Sequence, residues 1–216
     1  MPGHSPDIRH PRKPLQDKVN TMRRRVFDTL ASIGGLVIVA MLLVTGSLAL
    51  WGYSFANSNV QQQLAQQQIV FPAKSSPDLA NPKIGPHLNR YAGQKLTTGA
   101  QAKVYADHYI AVHLSEMPYG GVYSQVSAAS RANPTNAALA AEVQTSFQGT
   151  TLRGLLLEAY AFSVFATLAL WAAIASFLLA IIMTALVGTG FWHARRVTAD
   201  QDMFDRPATD PQPAIA

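Results

Sequence analysis

Two long stretches of this sequence carry no charged side chain: one runs from Asp28 to Lys74, the other from Glu158 to His193, exclusive of those ends. A soluble domain cannot be built around gaps of that length, because its surface needs charged residues throughout. Only 13% of the 216 residues are charged and 49% are hydrophobic; the charged share is about half that of an ordinary soluble domain. A conventional soluble enzyme is excluded.

Each gap holds an apolar run of membrane-spanning length. Leu30 to Tyr53 would be about 36 Å long as a helix, against a hydrocarbon core of about 30 Å. Arg23, Arg24 and Arg25 precede it, and Trp51 and Tyr53 lie at its far end, where amphipathic rings favour the headgroup level. A cleavable signal peptide has a shorter apolar region, close to the start of the chain; an uncleaved anchor is expected. The second run, Ala159 to Trp192, is longer than a bilayer requires, so part of its helix is expected to project outside, the span beginning near Phe165 to Leu170.

Orientation follows from basic flanks. Arg9, Arg12, Lys13, Lys18, Arg23, Arg24 and Arg25 precede the first span, and Arg195 and Arg196 follow the second. The positive-inside rule places both ends in the cytoplasm. The expected fold is therefore all-α. It has a basic disordered tail over 1–28, a first transmembrane helix over 29–56, an extracytoplasmic helical insert over 57–154, a second transmembrane helix over 155–193 and a disordered acidic tail over 194–216. The tails are Pro-rich and polar. The basic one also offers anionic lipid a weak contact.

Within the insert, the NSNVQQQLAQQQ tract (57–68) favours a helical continuation of the first span. Pro72, Pro77, Pro82 and Pro86 predict an extended linker over 71–96. A one-sided stripe of Val104, Ile110, Leu114 and Met117 predicts a helix from Thr97 to Pro118. A short amphipathic piece over Val122–Ser130 follows. Asn133-Pro134 reads as a helix start for Ala137–Phe147, stopped at Gly149, and Thr150 as the cap of the long final helix.

Chemistry is hard to place. With no cysteine, disulfides, thiolate nucleophiles and cysteine-ligated metal clusters are excluded. His87, His108 and His113 with Asp107, Glu116 or Glu142 are the available metal ligands. His113 and Glu116 share a helix face, but His108 points elsewhere, and no pair has established ligand spacing. No Gly-x-Ser-x-Gly, phosphate loop or dinucleotide motif occurs. No catalytic residue, cofactor or metal is expected. The formal charge of +5 is accounted for by the membrane-flanking tail, without nucleic acid.

The pattern that stands out is for packing. Ala172, Ser176, Ala180, Thr184 and Gly188 recur every fourth residue in the second span, as in small-residue grooves that admit a neighbouring helix. The first span offers Ala31, Ser32, Gly34, Gly35 and Gly46 for the same purpose. The expected occupants are the chain's other span, a second copy or another membrane protein, with membrane lipid around them. Tyr105, Tyr109, Tyr119 and Tyr123 are secondary candidates for partner contact, or for sealing the insert's core.

The segments QLAQQQIVFP, TTGAQAKVYADHYIAVHL and TTLRGLLLEAYAF resemble a family of uncharacterised actinobacterial two-span membrane proteins, with shared order and spacing over about 26–192. Members are often labelled as a subunit of an aromatic-ring-opening dioxygenase. Those dioxygenases are soluble iron enzymes, and the ligand set here does not match. The resemblance implies the two-span architecture and an actinobacterial plasma membrane, and no activity. On these grounds the chain is expected to be a non-catalytic accessory or scaffold subunit, or else a membrane-anchored ligand-binding or sensory module.

Overall fold

A computed structural model describes residues 24–196; the tails over 1–23 and 197–216, with Arg23 among them, lie outside it. The described residues are almost entirely helical. They divide into two compact units, 24–42 with 178–196, and Leu43–Phe177. Two helices dominate. Helix α1, Arg24–Gln66, runs through the first apolar stretch and on through the glutamine tract, as its helix-forming composition predicts. It stops where Gln68 adopts a left-handed φ of 52°, after Gln67 and Gln68 have bonded back to the carbonyls of Leu64 and Ala65.

The proline-rich segment is not an extended linker. It forms α2, Pro77–Ala80, and α3, Gly85–Leu88, followed by a 3₁₀ turn at Asn89–Tyr91. The prolines permit this by their placement. Pro77 and Pro86 each occupy the first turn of a short helix, where a missing N–H leaves no bond unmade. The Ser76 hydroxyl caps α2 by accepting from the Asp78 amide. The ends of the segment are tied together. Phe71 N donates to the Gln94 carbonyl at 2.9 Å and Leu96 N to that of Ile69 at 2.9 Å, around a single antiparallel bridge between Val70 and Lys95. The strap so closed supplies Phe71, Leu79, Ile84, Leu88 and Leu96 to one core with Val60 and Leu64 of α1.

The opposite side of that core comes from α4, Gly99–Tyr105, a π-helical turn at Ala106–Ile110 and α5, Ala111–Glu116. Helix α4 begins with a reciprocal capping box between Thr98 and Gln101, a signature of helix starts. Ala102 and Ala106 are fully buried. The chain reverses after Pro118 through Tyr119, Gly120 and Gly121, all at positive φ. At Gly121 a Cβ would run into the Leu114 carbonyl, and its own carbonyl accepts from the buried Ser146 hydroxyl at 2.6 Å. Gly121→Ala combines backbone strain with that clash. It is expected to cost about 1–3 kcal/mol, read as a lowered melting temperature of the detergent-solubilised chain.

Helix α6 spans Tyr123–Ala132 and α7 spans Ala137–Arg196. Asn133 closes α6, its side chain donating to the Ala129 carbonyl, and it is Asn136 that caps α7 by accepting from Leu139 N at 3.1 Å. Gly149 does not stop the helix, and Thr150 caps nothing. A glycine costs a helix interior only about 1 kcal/mol, and this one makes room for Leu114, whose Cδ2 would lie 2.8 Å from a Cβ at Gly149. The helix that holds the second apolar stretch therefore begins at Ala137, well before 155.

Candidate functional site

Burial along the two long helices repeats every three and four residues. In one unit it falls on Ser32, Gly35, Val39 and Leu42 of α1 and on Ala180, Met183, Val187 and Gly190 of α7. In the other, Gly46, Ala49, Tyr53, Ala56 and Val60 of α1 follow the same rhythm, as do Ala159, Ser163, Ala166, Leu170, Ala173 and Phe177 of α7. An average step of 3.5 residues is that of left-handed helix pairs. Small residues make the approach close. A Cβ on Gly35 would lie 2.5 Å from Val187 Cγ2, one on Gly190 2.5 Å from Ser32 Oγ, and one on Gly46 3.0 Å from the Phe177 ring.

The expected every-fourth-residue groove divides accordingly. Ala180 is buried on the seam and Ser176 is half-buried beside it, whereas Ala172, Thr184 and Gly188 are exposed. Positions four apart advance by about 40° per step at 100° per residue, so five of them wind through about 160° of the helix. Seven-residue spacing, Ala166–Ala173 and Ala180–Val187, keeps to one face. The Thr184 hydroxyl bonds to the Ala180 carbonyl of its own helix at 2.7 Å. In the first apolar stretch, Ser32, Gly35 and Gly46 lie on the seam, while Ala31 and Gly34 are exposed.

Away from the seam the apolar side chains are bare. Leu36, Met41, Val44, Leu48 and Trp51 of α1, and Phe165, Trp171, Leu178, Ile182 and Trp192 of α7, are all exposed. Only 11% of the most apolar window of each helix is buried, whereas the core helix of a soluble protein would be mostly covered. Both helices are long and apolar enough to cross a membrane. Arg24 and Arg25 open α1. At the end of α7, Arg195 is exposed and the Arg196 guanidinium sits 3.8 Å from the centre of the Trp192 ring, a basic–aromatic pairing suited to the headgroup level.

The insert's polar groups converge where the strap meets the π-helical turn. His87 of α3 lies face to face with His108, ring centroids 3.5 Å apart and planes within 6°. Tyr109 donates its hydroxyl to Asp78 Oδ2 at 3.1 Å. His113 Nδ1 donates to the Tyr109 carbonyl at 2.8 Å, leaving Nε2 3.9 Å from Asp78 Oδ1. Phe71 meets Tyr105 edge-on at 5.4 Å. Beside them Asp107 takes Lys103 at 2.6 Å and Arg153 of α7 at 3.2 Å; these two cations hold its carboxyl below the usual range, Lys103 most strongly. Burial pushes the Tyr105 phenol up to about 12. Tyr105 and Tyr109 thus seal the core, while Tyr119 and Tyr123 remain exposed. Among the described residues no three His, Cys, Asp or Glu side chains are grouped to hold a metal ion. His87, carried by the strap, stacks on the His108 imidazole.

That stack is pH-sensitive by construction. Burial, and then His87, hold His108 below the ordinary histidine range; Asp107 opposes them and Lys103 adds to them. The unfolded chain therefore takes up a proton on His108 near pH 6.5, before the folded one does. The contribution is fully present above about pH 6.5 and declines as pH falls toward the lowered value. The melting temperature of the solubilised chain is expected to be level from pH 8 to 7 and to fall from about pH 6.5 downward, with a shallower fall in His87→Gln.

A second feature lies within the Leu43–Phe177 unit. A groove of ≈ 570 Å³ runs between α1 and α7, with Phe55, Asn59, Gln63 and Gln67 along one side and Leu152, Leu155, Glu158 and Phe162 along the other. It lies outside the expected sites. The available signal was leucine at 152, 155 and 156 together: Leu152 and Leu156 turn to the core, and Leu155 faces away from it, exposed.

No protein-family model, curated protein or solved structure matches this chain. The surfaces on which a function can rest are therefore the chain's own: the bare apolar faces of α1 and α7, the exposed aromatic tip at Tyr119 and Tyr123, and the interhelical groove.

Proposed function

We propose that this chain is a two-span integral protein of an actinobacterial plasma membrane, with both termini cytoplasmic and residues 57–154 outside. It has no catalytic activity of its own and serves as an accessory or scaffold subunit of a membrane assembly, through contacts with other membrane helices or with a second copy. The observation that supports this most is the surplus of apolar surface. Each long helix commits one narrow seam to packing and leaves its other faces bare, including the small residues Ala172, Thr184 and Gly188, where another helix can approach closely.

Gentle extraction into lipid nanodiscs, followed by mass spectrometry of what co-purifies, tests the proposal. A stoichiometric membrane partner or a defined homo-oligomer is expected. A lone monomer under the mildest conditions overturns it. A second reading, an extracytoplasmic ligand-binding or sensory module, draws its support from the groove between α1 and α7 rather than from Tyr105 and Tyr109, which are packed against one another and, through Tyr109, against His113.

A further inference from the structure

We propose that the groove between α1 and α7 holds one hydrocarbon chain of a membrane lipid whose head carries an ammonium group. The inference rests on the two-span reading. Its volume of ≈ 570 Å³ is within the range of small-molecule sites. Phe55 and Phe162 form its foot, and both are exposed members of the apolar bands on their helices. Above them the groove continues for about 15 Å, at 1.5 Å per helical residue, which carries it beyond the headgroup layer of a bilayer. Its floor is Val60, Leu64 and Leu156, all buried, and its wall is Leu155, 58% exposed. Apolar contact is thus unbroken from the lipid-facing surface upward, so a chain leaving the bilayer here exchanges one apolar environment for another.

The lining sets the head. Asn59 and Gln63 stand one and two turns above Phe55, and Glu158 one turn above Phe162. Glu158 is the one ionisable side chain in the lining, and no lysine or arginine joins it. An anionic head would face a carboxylate with no cation to offset it. An ammonium finds Glu158 and the amide oxygens of Asn59 and Gln63.

The test uses the full chain in phosphatidylglycerol nanodiscs, whose host lipid has no ammonium, doped equally with phosphatidylethanolamine or phosphatidylglycerol bearing a photoreactive acyl chain, with labelled peptides mapped by mass spectrometry. The ethanolamine probe is expected to label residues 55–67 and 152–162 about tenfold more than the glycerol probe. Leu155→Glu is expected to abolish that label while leaving the label on residues 36–48 intact. Glu158→Gln should erase the preference between probes and keep the acyl label. Label on 36–48 without label in the groove overturns this inference and leaves the two spans standing; no label on 36–48 overturns the spans themselves. Equal labelling by both probes overturns the ammonium assignment. A Leu155→Cys chain that oxidises to a dimer puts a second copy in the groove and overturns the lipid.

Discussion

Replacing Phe71 by alanine is expected to destabilise the insert by about 3–5 kcal/mol, the range for truncating a buried aromatic side chain. Phe71 is 2% exposed. Its ring touches Tyr91, centroids 5.1 Å apart, and Tyr105 edge-on, so it joins the strap to α4 at the point where the strap's ends are tied. Truncation leaves a cavity between two tyrosines that are themselves fixed by other contacts and cannot collapse into it. Limited proteolysis of the solubilised chain should then cut within 72–95, and the near-UV signal of the tyrosines should melt earlier. Val70→Ala provides the comparison. Val70 is the preceding residue, exposed, and its truncation should move stability by less than about 0.5 kcal/mol. Equal effects at the two positions would contradict the core assigned here.

The second large effect is expected at Ile182→Arg. Ile182 lies on the bare side of α7, away from Ala180, Met183 and Val187, and is 56% exposed. On a water-facing surface the substitution would be worth no more than about 0.5 kcal/mol. At the centre of a spanning helix an arginine costs about 2.5–3.5 kcal/mol on insertion scales. The fraction of chain resistant to alkaline carbonate extraction should fall sharply for Ile182→Arg and stay unchanged for Ile182→Leu. Full insertion of the arginine variant would contradict a lipid-facing position.

The two helices were legible because their signal is long and one-dimensional: no charge for tens of residues, bounded by arginines and aromatic rings. The glutamine tract joined the first helix for the same local reason, good propensity with Val60 and Leu64 on one face. The strap was not legible. Proline density argues for extended chain only when each proline interrupts something, and Pro77 and Pro86 instead open short helices whose leucines are buried by partners far along the chain. Gly149 misled in the same way, since its reason for being glycine is Leu114, thirty-five residues earlier. Of the small residues named in the first apolar stretch, Ser32, Gly35 and Gly46 are buried and Ala31 and Gly34 exposed. In span two the four-residue repeat competed with a seven-residue one, and Ala180, common to both, is the buried member. The groove and the stacked imidazoles depend on contacts between distant segments, which no local pattern encodes.

The most direct test of the two-span account is which side of the membrane each segment faces. The chain has no cysteine, so one introduced thiol reports one position. With Lys83→Cys, an exposed site in the strap, a membrane-impermeant maleimide added to intact, wall-stripped cells should label the protein fully. Ser5→Cys and Asp205→Cys should be labelled only after the membrane is opened. A strap thiol protected in intact cells, or either tail thiol labelled from outside, would contradict the account.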